Sequence, residues 1–420
     1  MHIAFFNRSY YPDQTATGQL LTELAETLVG EHGCRVTVVT GPPLSPAATA
    51  PGGATAAWPP RETRHGVCIV RARGTRFDKR RFAGRAANYM TYFASACVAG
   101  VRLDRPDVVV ALTDPPVIGI AAWIAGRRAG APLVMAFKDL FPEVAALLPD
   151  FHSPAINRAL QAVNRWLVQR AALNIALSET MRRRLIEDKG APPDRTVIIP
   201  DWADTTAIEP GAKDGDFARQ HGFGGRFVVM HSGNLGLSQN LETIVEAAGI
   251  LRSEADIVFV FQGEGVKKAD LQALVAARGL TNVLFLPFAP AERLADSFAS
   301  ADVFIVSLQR GLAGYIVPSK LYGILAAGRP FVAAVEEDCE VASLARTHAC
   351  GLVAEPGDAR QLADRILTYY RDRAGADEAG GHARRLALTF DRRVQVSRYA
   401  EALREVQRLA AQSTGGGRLA

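Results

Sequence analysis

Residues 226–247, RFVVMHSGNLGLSQNLETIVEA, pass from an apolar β-branched stretch through two glycines into a helical pattern. The run RFVVMHSG is almost continuously apolar, as a strand buried on both faces of a parallel sheet must be. Beyond it, apolar residues recur at helical spacing. Between strand and helix, Gly233 and Gly236 flank Asn234, and such small residues let backbone amides cradle a phosphate. The order strand, glycine loop, helix is one βα unit. It is not a Walker loop, because G-x-x-x-x-G-K-[ST] is absent.

The same unit recurs along the chain. After RFVVMHSG come DIVFVFQG, NVLFLPF, DVFIVSL, PFVAAV and GLVAEP, separated by helical segments. Before it stand HIAFF (2–6), RVTVVT (35–40), VCIVRA (67–72), DVVVAL (107–112), PLVMAF (132–137), LNIALS (173–178) and TVIIP (196–200). GQLLTELAETLVGEHG, between the first two strands, has helical spacing and Gly33 near its end. Alternating strands and helices imply parallel sheets with crossover connections. The reading is an α/β chain of two Rossmann-like domains facing each other across a cleft, with ligands beyond the carboxyl ends of the strands. Residues 1–200 are expected to form the first domain and the polar, Gly-rich 201–225 a linker. Residues 226–390 form the second, and 391–420 a C-terminal helix returning to the first, ending in a frayed tail, STGGGRLA. Residues 42–60, PPLSPAATAPGGATAAWPP, read as a mobile surface loop.

Bulk properties agree. A chain of 420 residues is long for one core. With 48% hydrophobic and 22% charged residues it is neither disordered nor membrane-like. A net charge of +5 and 8% aromatic content do not imply nucleic acid. Five scattered cysteines form no C-x-x-C pair and fit a reducing cytosol. MHIAFFNRSYY reads as a first strand rather than a signal peptide. PPVIGIAAWIAG (115–126) is too short and Pro-flanked for a membrane span. A cytoplasmic protein is expected, soluble or resting on the inner face of the membrane. Residues 61–85 hold nine Lys or Arg against Glu62 and Asp78, and the following RFAGRAANYMTYFASACVAGV is aromatic and apolar. An interfacial helix on anionic lipid fits this pattern, as does a solvated surface with core-facing aromatics.

Four further stretches place chemistry-bearing residues past strands. DQTATGQLLTELAETL (13–28) sets Thr17 and Gly18 where free N–H groups at a helix start favour anions or hydroxyls. FQGEGVKKADL (261–271) gives a Gly263-Glu264-Gly265 turn. IVPSKLYGILAAGRP (316–330) opens a helix at Pro318, Ser319, Lys320 and Leu321 and closes it at Gly328 to Pro330. A lysine at a helix start is mildly unfavourable unless an anion binds there too, and such a local inconsistency points to function. FKDLFPE (137–143) sets Lys138 and Asp139 where a general base or acceptor-hydroxyl ligand would stand. A charged pair capping the next turn fits equally. No H-E-x-x-H, G-x-S-x-G or D-x-D strand end occurs, so no metal is expected.

Over nearly its whole length the chain resembles the retaining glycosyltransferases of family four. The stretches that carry this are HSGNLGLSQNLETIVEAAGIL, FQGEGVKKADLQALV, NVLFLPFAPAERLADSFASADVFIVSL, VPSKLYGILAAGRPFVA and CGLVAEPGDARQLAD. It is most similar to bacterial surface-polysaccharide enzymes, the fucosyl-type and N-acetylfucosamine transferases of colanic-acid and O-antigen assembly, whose interdomain turn IIPDWAD (198–204) resembles. The resemblance implies a GT-B fold and a nucleotide sugar bound by the C-terminal domain. It implies an acceptor, here a lipid-linked saccharide, bound by the N-terminal one. Retention without a metal follows, the departing diphosphate being stabilised by cations and backbone amides. By position, Gly18 falls in the acceptor-side loop, Gly233 and Asn234 in the diphosphate loop, and Lys320 beside the donor.

Two features of the family are missing. Its paired glutamates fall here at Tyr315 and Gly323, and the arginine and lysine of its diphosphate loop at Asn234 and Gln239. Lys320, with Arg310, is the expected replacement for the cations, and Glu340 for the ribose-binding glutamate. Catalytic roles are expected of Lys320, Asp139 and Lys138. Donor contacts are expected of Gly233, Asn234, Gly263, Glu264, Arg310, Pro318, Ser319, Lys320, Leu321 and Glu340. Two other readings share the fold: a sugar-nucleotide 2-epimerase, and a degenerate subunit partnering another transferase.

Overall fold

The sheets follow from where the apolar runs lie. In a computed structural model, which describes residues 1–13, 15–43, 60–77, 82–147 and 153–415, the chain divides into two compact units. One comprises residues 1–200 and 392–420, the other 201–391. The proposed loop at 42–60 falls almost wholly outside the described residues, as do 78–81 of the basic stretch. Of the tail STGGGRLA, residues 413–415 continue the last helix and 416–420 lie outside the description.

The strands of the first unit are β1 (His2–Phe6), β2 (Arg35–Thr40), β3 (Arg61–Arg64), β4 (Val67–Arg71), β5 (Val108–Ala111), β6 (Leu133–Ala136), β7 (Leu173–Ala176) and β8 (Thr196–Ile198). Among the described residues they form one sheet in the order β3-β4-β2-β1-β5-β6-β7-β8. Every pairing is parallel except that of β3 with β4. Seven of these strands match apolar runs in the sequence. The eighth, β3, is RETR, a charged edge strand with no apolar run to betray it. It turns into β4 through His65 and Gly66, both at positive φ (45° and 81°), the two-residue hairpin geometry that matches strand twist.

The second unit holds β9 (Phe227–Ser232), β10 (Ile257–Gln262), β11 (Val283–Leu286), β12 (Val303–Ser307), β13 (Phe331–Ala334) and β14 (Gly351–Ala354). Their order, β11-β10-β9-β12-β13-β14, is entirely parallel. It is the doubly wound order in which the chain reverses direction at the first strand. All six residues of β9 and of β10 are buried. Phe227, Val229, Ile257, Phe259, Ile305 and Val332 share one core with Leu241, Ile244 and Val245 of the helix after β9. Each such side chain contributes about 1.5–3 kcal/mol on burial. Because the sheet order reverses at β1 and at β9, the carboxyl ends of these two strands are where ligands have room to bind.

Candidate active site

In the second unit, β9 ends in His231 and Ser232, and the chain then turns at Gly233 with φ of 130°. Gly233 N–H donates to the Gln262 carbonyl (2.9 Å) and Leu235 N–H to that of Glu264 (2.8 Å). The loop after β9 is thereby laced to the loop after β10. The lacing is tight enough to demand glycine: a Cβ on Gly263 would lie 1.9 Å from the Gly233 oxygen. Beneath it, the buried Gln262 accepts from Ser297 Oγ at 2.7 Å. The far side is braced by Gln239, whose Oε1 accepts from Gly236 N–H at 3.0 Å. Asn234 is exposed at the loop tip, and Glu264 is exposed and paired with Lys268 (2.6 Å).

Lys320 reaches this loop from the loop after β12. It is the first residue of the helix Lys320–Ala326, preceded by Pro318 and by Ser319, which offers no side-chain cap. Its Nζ and Cε lie 3.3 Å from where a Cβ of Gly233 would stand, and Nζ is 2.9 Å from His231 Nε2. Although the residue keeps some exposure, its Nζ end is enclosed by protein, and burial lowers the amine to about 7. Among the described residues no carboxylate pairs with it. His231, wholly buried, is pushed well below its usual value by burial and then by the Lys320 charge. It is therefore neutral, and accepts from the lysine.

The other expected donor residues surround the same sheet edge. Leu321 is buried, and its N–H donates to the Pro318 carbonyl (3.1 Å). Arg310 follows β12 on a loop held to the β9 loop by Gln309 N–H to Ser238 oxygen (2.7 Å); its guanidinium pairs with Glu355 at 2.9 Å. Glu340 opens the helix Glu340–Thr347, and its charge helps raise the buried Tyr322 hydroxyl well above its usual value, after burial and Asp201. Gly323, onto which the resemblance maps one of the family's glutamates, faces a core ring: a Cβ there would meet Phe298 Cε2 at 3.0 Å.

In the first unit, Gly18 lies early in the helix Ala16–Gly30, close against the backbone of the preceding loop. A Cβ on it would stand 2.9 Å from Thr15 Oγ1 and 3.4 Å from the Asp13 oxygen, while Thr17 beside it is half-buried. Past β6, the N–H groups of Lys138 and Asp139 both point to Thr113 Oγ1 (3.2 and 3.4 Å). Lys138 is buried and Asp139 half-buried. A cluster that sequence reasoning did not find sits at the ends of β1 and β5. Asp114 accepts from Ser9 Oγ (2.7 Å) and Arg8 Nε (3.3 Å). Burial works against the Arg8 charge, but Asp114, Tyr89 and Tyr92 together outweigh it and the guanidinium is held above its usual value.

The basic stretch is partly spent on structure. Arg64 pairs with Glu26 and lies over the Tyr11 ring, and Arg71 pairs with Glu62. The helix Phe82–Val101 turns Tyr92 inward, its hydroxyl donating to the Val39 carbonyl at 3.2 Å. Outward it presents Met90 and Val98. No helix among the described residues is long and apolar enough to cross a membrane, and no three metal-ligating side chains cluster there.

Comparison with known proteins agrees with this geometry. Residues 15–202 match the glycosyl transferase 4-like domain and residues 214–386 the glycosyl transferases group 1 domain. A putative colanic acid biosynthesis glycosyl transferase of Escherichia coli, WcaI, is 26% identical over 83% of this chain and 86% of its own length. A probable glycosyltransferase of Pseudomonas aeruginosa, WbjE, is 25% identical over 62% of this chain and 66% of its own. The crystal structure of Anabaena HepE with UDP superposes with a TM-score of 0.72 at 18% identity, over 96% of this chain and 100% of that one. With one transferase domain followed by the other over most of its length, the chain belongs to the family-four glycosyltransferases of GT-B fold.

Proposed function

We propose that the protein is a retaining transferase that moves a sugar from a nucleotide-sugar donor, held by the C-terminal unit, to a lipid-diphosphate-linked saccharide met by the N-terminal unit. The product, a lipid-linked saccharide longer by one sugar, would serve bacterial exopolysaccharide or O-antigen biosynthesis. The observation that carries this reading is Lys320, an enclosed cation with no carboxylate partner among the described residues, set against the bare Cα of Gly233. A buried charge of that kind is costly unless an anion joins it. In the transfer, the bond from the anomeric carbon to the diphosphate breaks as one to the acceptor oxygen forms. Negative charge then gathers on the departing diphosphate, where Lys320 and the amides of the loop after β9 stabilise it. Asn234, Gly263, Glu264, Pro318, Ser319 and Leu321 shape the donor side, with Arg310 and Glu340 at its flanks. Asp139 takes the acceptor hydroxyl proton, Lys138 holds the acceptor's charge, and Thr17 and Gly18 bound its site. The name of WcaI supports the polysaccharide assignment, and the UDP bound to HepE supports a nucleotide donor.

A thermal-shift screen against UDP, GDP, ADP and TDP, on wild type and Lys320→Ala, tests the reading. A nucleotide that binds only the folded protein raises its apparent stability by mass action. One nucleotide stabilising wild type but not the variant is the expected result. No shift with any of them would overturn the donor assignment.

A further inference from the structure

We propose that His231 is the positioning residue of the donor-binding lysine: its neutral imidazole, fixed below the glycine loop, accepts from the Lys320 ammonium and aims it at the diphosphate. The inference rests on the donor reading above and goes one residue deeper.

The imidazole stands where its backbone cannot move. His231 lies in β9, which is paired on one side with β10, in register with Phe261, and on the other with β12. Its ring packs at 6.1 Å from that of Phe261, which itself stacks on Phe285 at 5.1 Å. An apolar side chain would fill this place without the cost of burying a polar ring. Among the described residues Lys320 is the side chain that meets the ring's Nε2, at 2.9 Å. An ammonium carries three donors. The imidazole engages one, and the others remain for an anion. Gly233 completes the arrangement, since a side chain there would press on the lysine tip at 3.3 Å.

The protonation states fit. Among the described residues Lys320 is the charged group that bears on His231, and burial, with no opposing charge, lowers Lys320. Protonating the imidazole would remove the acceptor and set two cations in contact. An imidazole that stays neutral therefore keeps its lone pair on the lysine wherever the lysine is charged.

Two measurements on the full chain test this. Trace acetylation with acetic anhydride between about pH 5 and pH 10, read at Lys320 by mass spectrometry, titrates the amine without any nucleotide. Calorimetry with UDP, GDP, ADP and TDP then gives affinities. In His231→Leu the amine loses its acceptor, so its titration midpoint should fall by about one unit and the affinity for the bound nucleotide by about tenfold. His231→Gln, whose amide oxygen stands near the Nε2 position, should restore both. A merely structural role would lower stability without moving the midpoint. An unchanged midpoint and affinity in His231→Leu would overturn the proposal. If that variant does not fold, His231→Asn, too short to reach, against His231→Gln carries the same contrast. A midpoint that moves while no nucleotide binds would uphold the lysine–imidazole coupling and overturn the donor reading instead.

Discussion

Gly263 presses its bare Cα against the carbonyl of Gly233, so that a methyl group there would lie 1.9 Å from the oxygen. Its φ of 150° is also one that side chains rarely adopt. Two loops from neighbouring strands thus meet backbone to backbone. Gly263→Ala should cost at least about 3 kcal/mol in urea unfolding, since neither loop can retreat from its sheet. Gly279, at φ of 59° with nothing within 4 Å of its missing Cβ, is the control. Gly279→Ala should cost only about 1 kcal/mol, for backbone strain alone. Equal losses would mean the loops are not locked together.

Lys320 makes stability depend on pH in a particular sense. Its amine is lowered to about 7 in the folded protein, by burial, from an ordinary value of 10.5. Between those values the unfolded chain holds a proton that the folded chain lacks, so stability from this group rises with pH across the window. Below it both states are protonated, and the folded one bears the full desolvation cost. Lys320→Met removes the dependence. Relative to wild type, the variant should be most stable near pH 6.5 and lose that advantage steadily toward pH 10. At this domain size each kcal/mol moves Tm by about 2–4 °C. The imidazole left without its donor subtracts an amount that does not vary over this range, so the slope is what differential scanning should read. A pH-independent difference would show Lys320 to be charged throughout.

Gly323 marks a place on the donor helix where the family's glutamate would crowd its neighbour. A Cβ there would stand 3.0 Å from Cε2 of the buried Phe298. Gly323→Glu should therefore lower stability by about 1–3 kcal/mol, from overpacking against the Phe298 ring. Donor affinity should not improve. A variant as stable as wild type with tighter nucleotide binding would show that the glutamate had merely been lost.

How far the sequence reached differs between frame and site. Strands β1 and β2 stand at the residues their apolar runs mark, because a strand covered on both faces leaves no polar alternation to blur its ends. RETR was invisible because an edge strand is stabilised by a hairpin turn and by pairs such as Glu62–Arg71, not by apolar burial. Lys320 was legible because a cation at a helix start breaks a local rule. His231 was not, because an imidazole inside an apolar strand reads as core until the lysine 89 residues away is brought to it. Ser9 and Asp114 are likewise 105 residues apart, and only the adjacency of β1 and β5 joins them.

The loop carrying Lys138 and Asp139 is held from behind by Lys189. That ammonium, 1% exposed, donates to the Phe141 carbonyl (2.9 Å), to Gln161 Oε1 (2.5 Å) and to both Glu143 oxygens (2.7 Å). Burial lowers its pKa, and Glu143 works in the other direction. Lys189→Met should cost about 3–5 kcal/mol, because Glu143 and a backbone carbonyl lose their donor at once. If Lys138 and Asp139 meet the acceptor, KM for the acceptor should rise while nucleotide affinity stays unchanged. Lys189→Met combined with Glu143→Leu should recover part of the stability. An additive loss in the pair would show that the two side chains act separately.

Phe77, 57% exposed, precedes the helix Phe82–Val101; Met90, 56% exposed, lies within it, and Val98 continues the Met90 stripe two turns on. Arginines 73 and 76 precede them. Apolar side chains held out beside basic ones are suited to an anionic lipid surface, where the chains enter the interface and the charges stay at the headgroups. Flotation with vesicles of phosphatidylglycerol and phosphatidylethanolamine should recover the wild-type protein, less so at high salt. Met90→Asp with Phe77→Asp should lower the bound fraction by about tenfold, since each substitution both withdraws apolar area and adds a repelled charge. Transfer to a water-soluble acceptor should not change, because neither residue lies among those assigned to donor or acceptor. Equal flotation of variant and wild type would move the lipid contact elsewhere, and no flotation of either would leave the acceptor's lipid, rather than the protein's surface, to bring enzyme and membrane together.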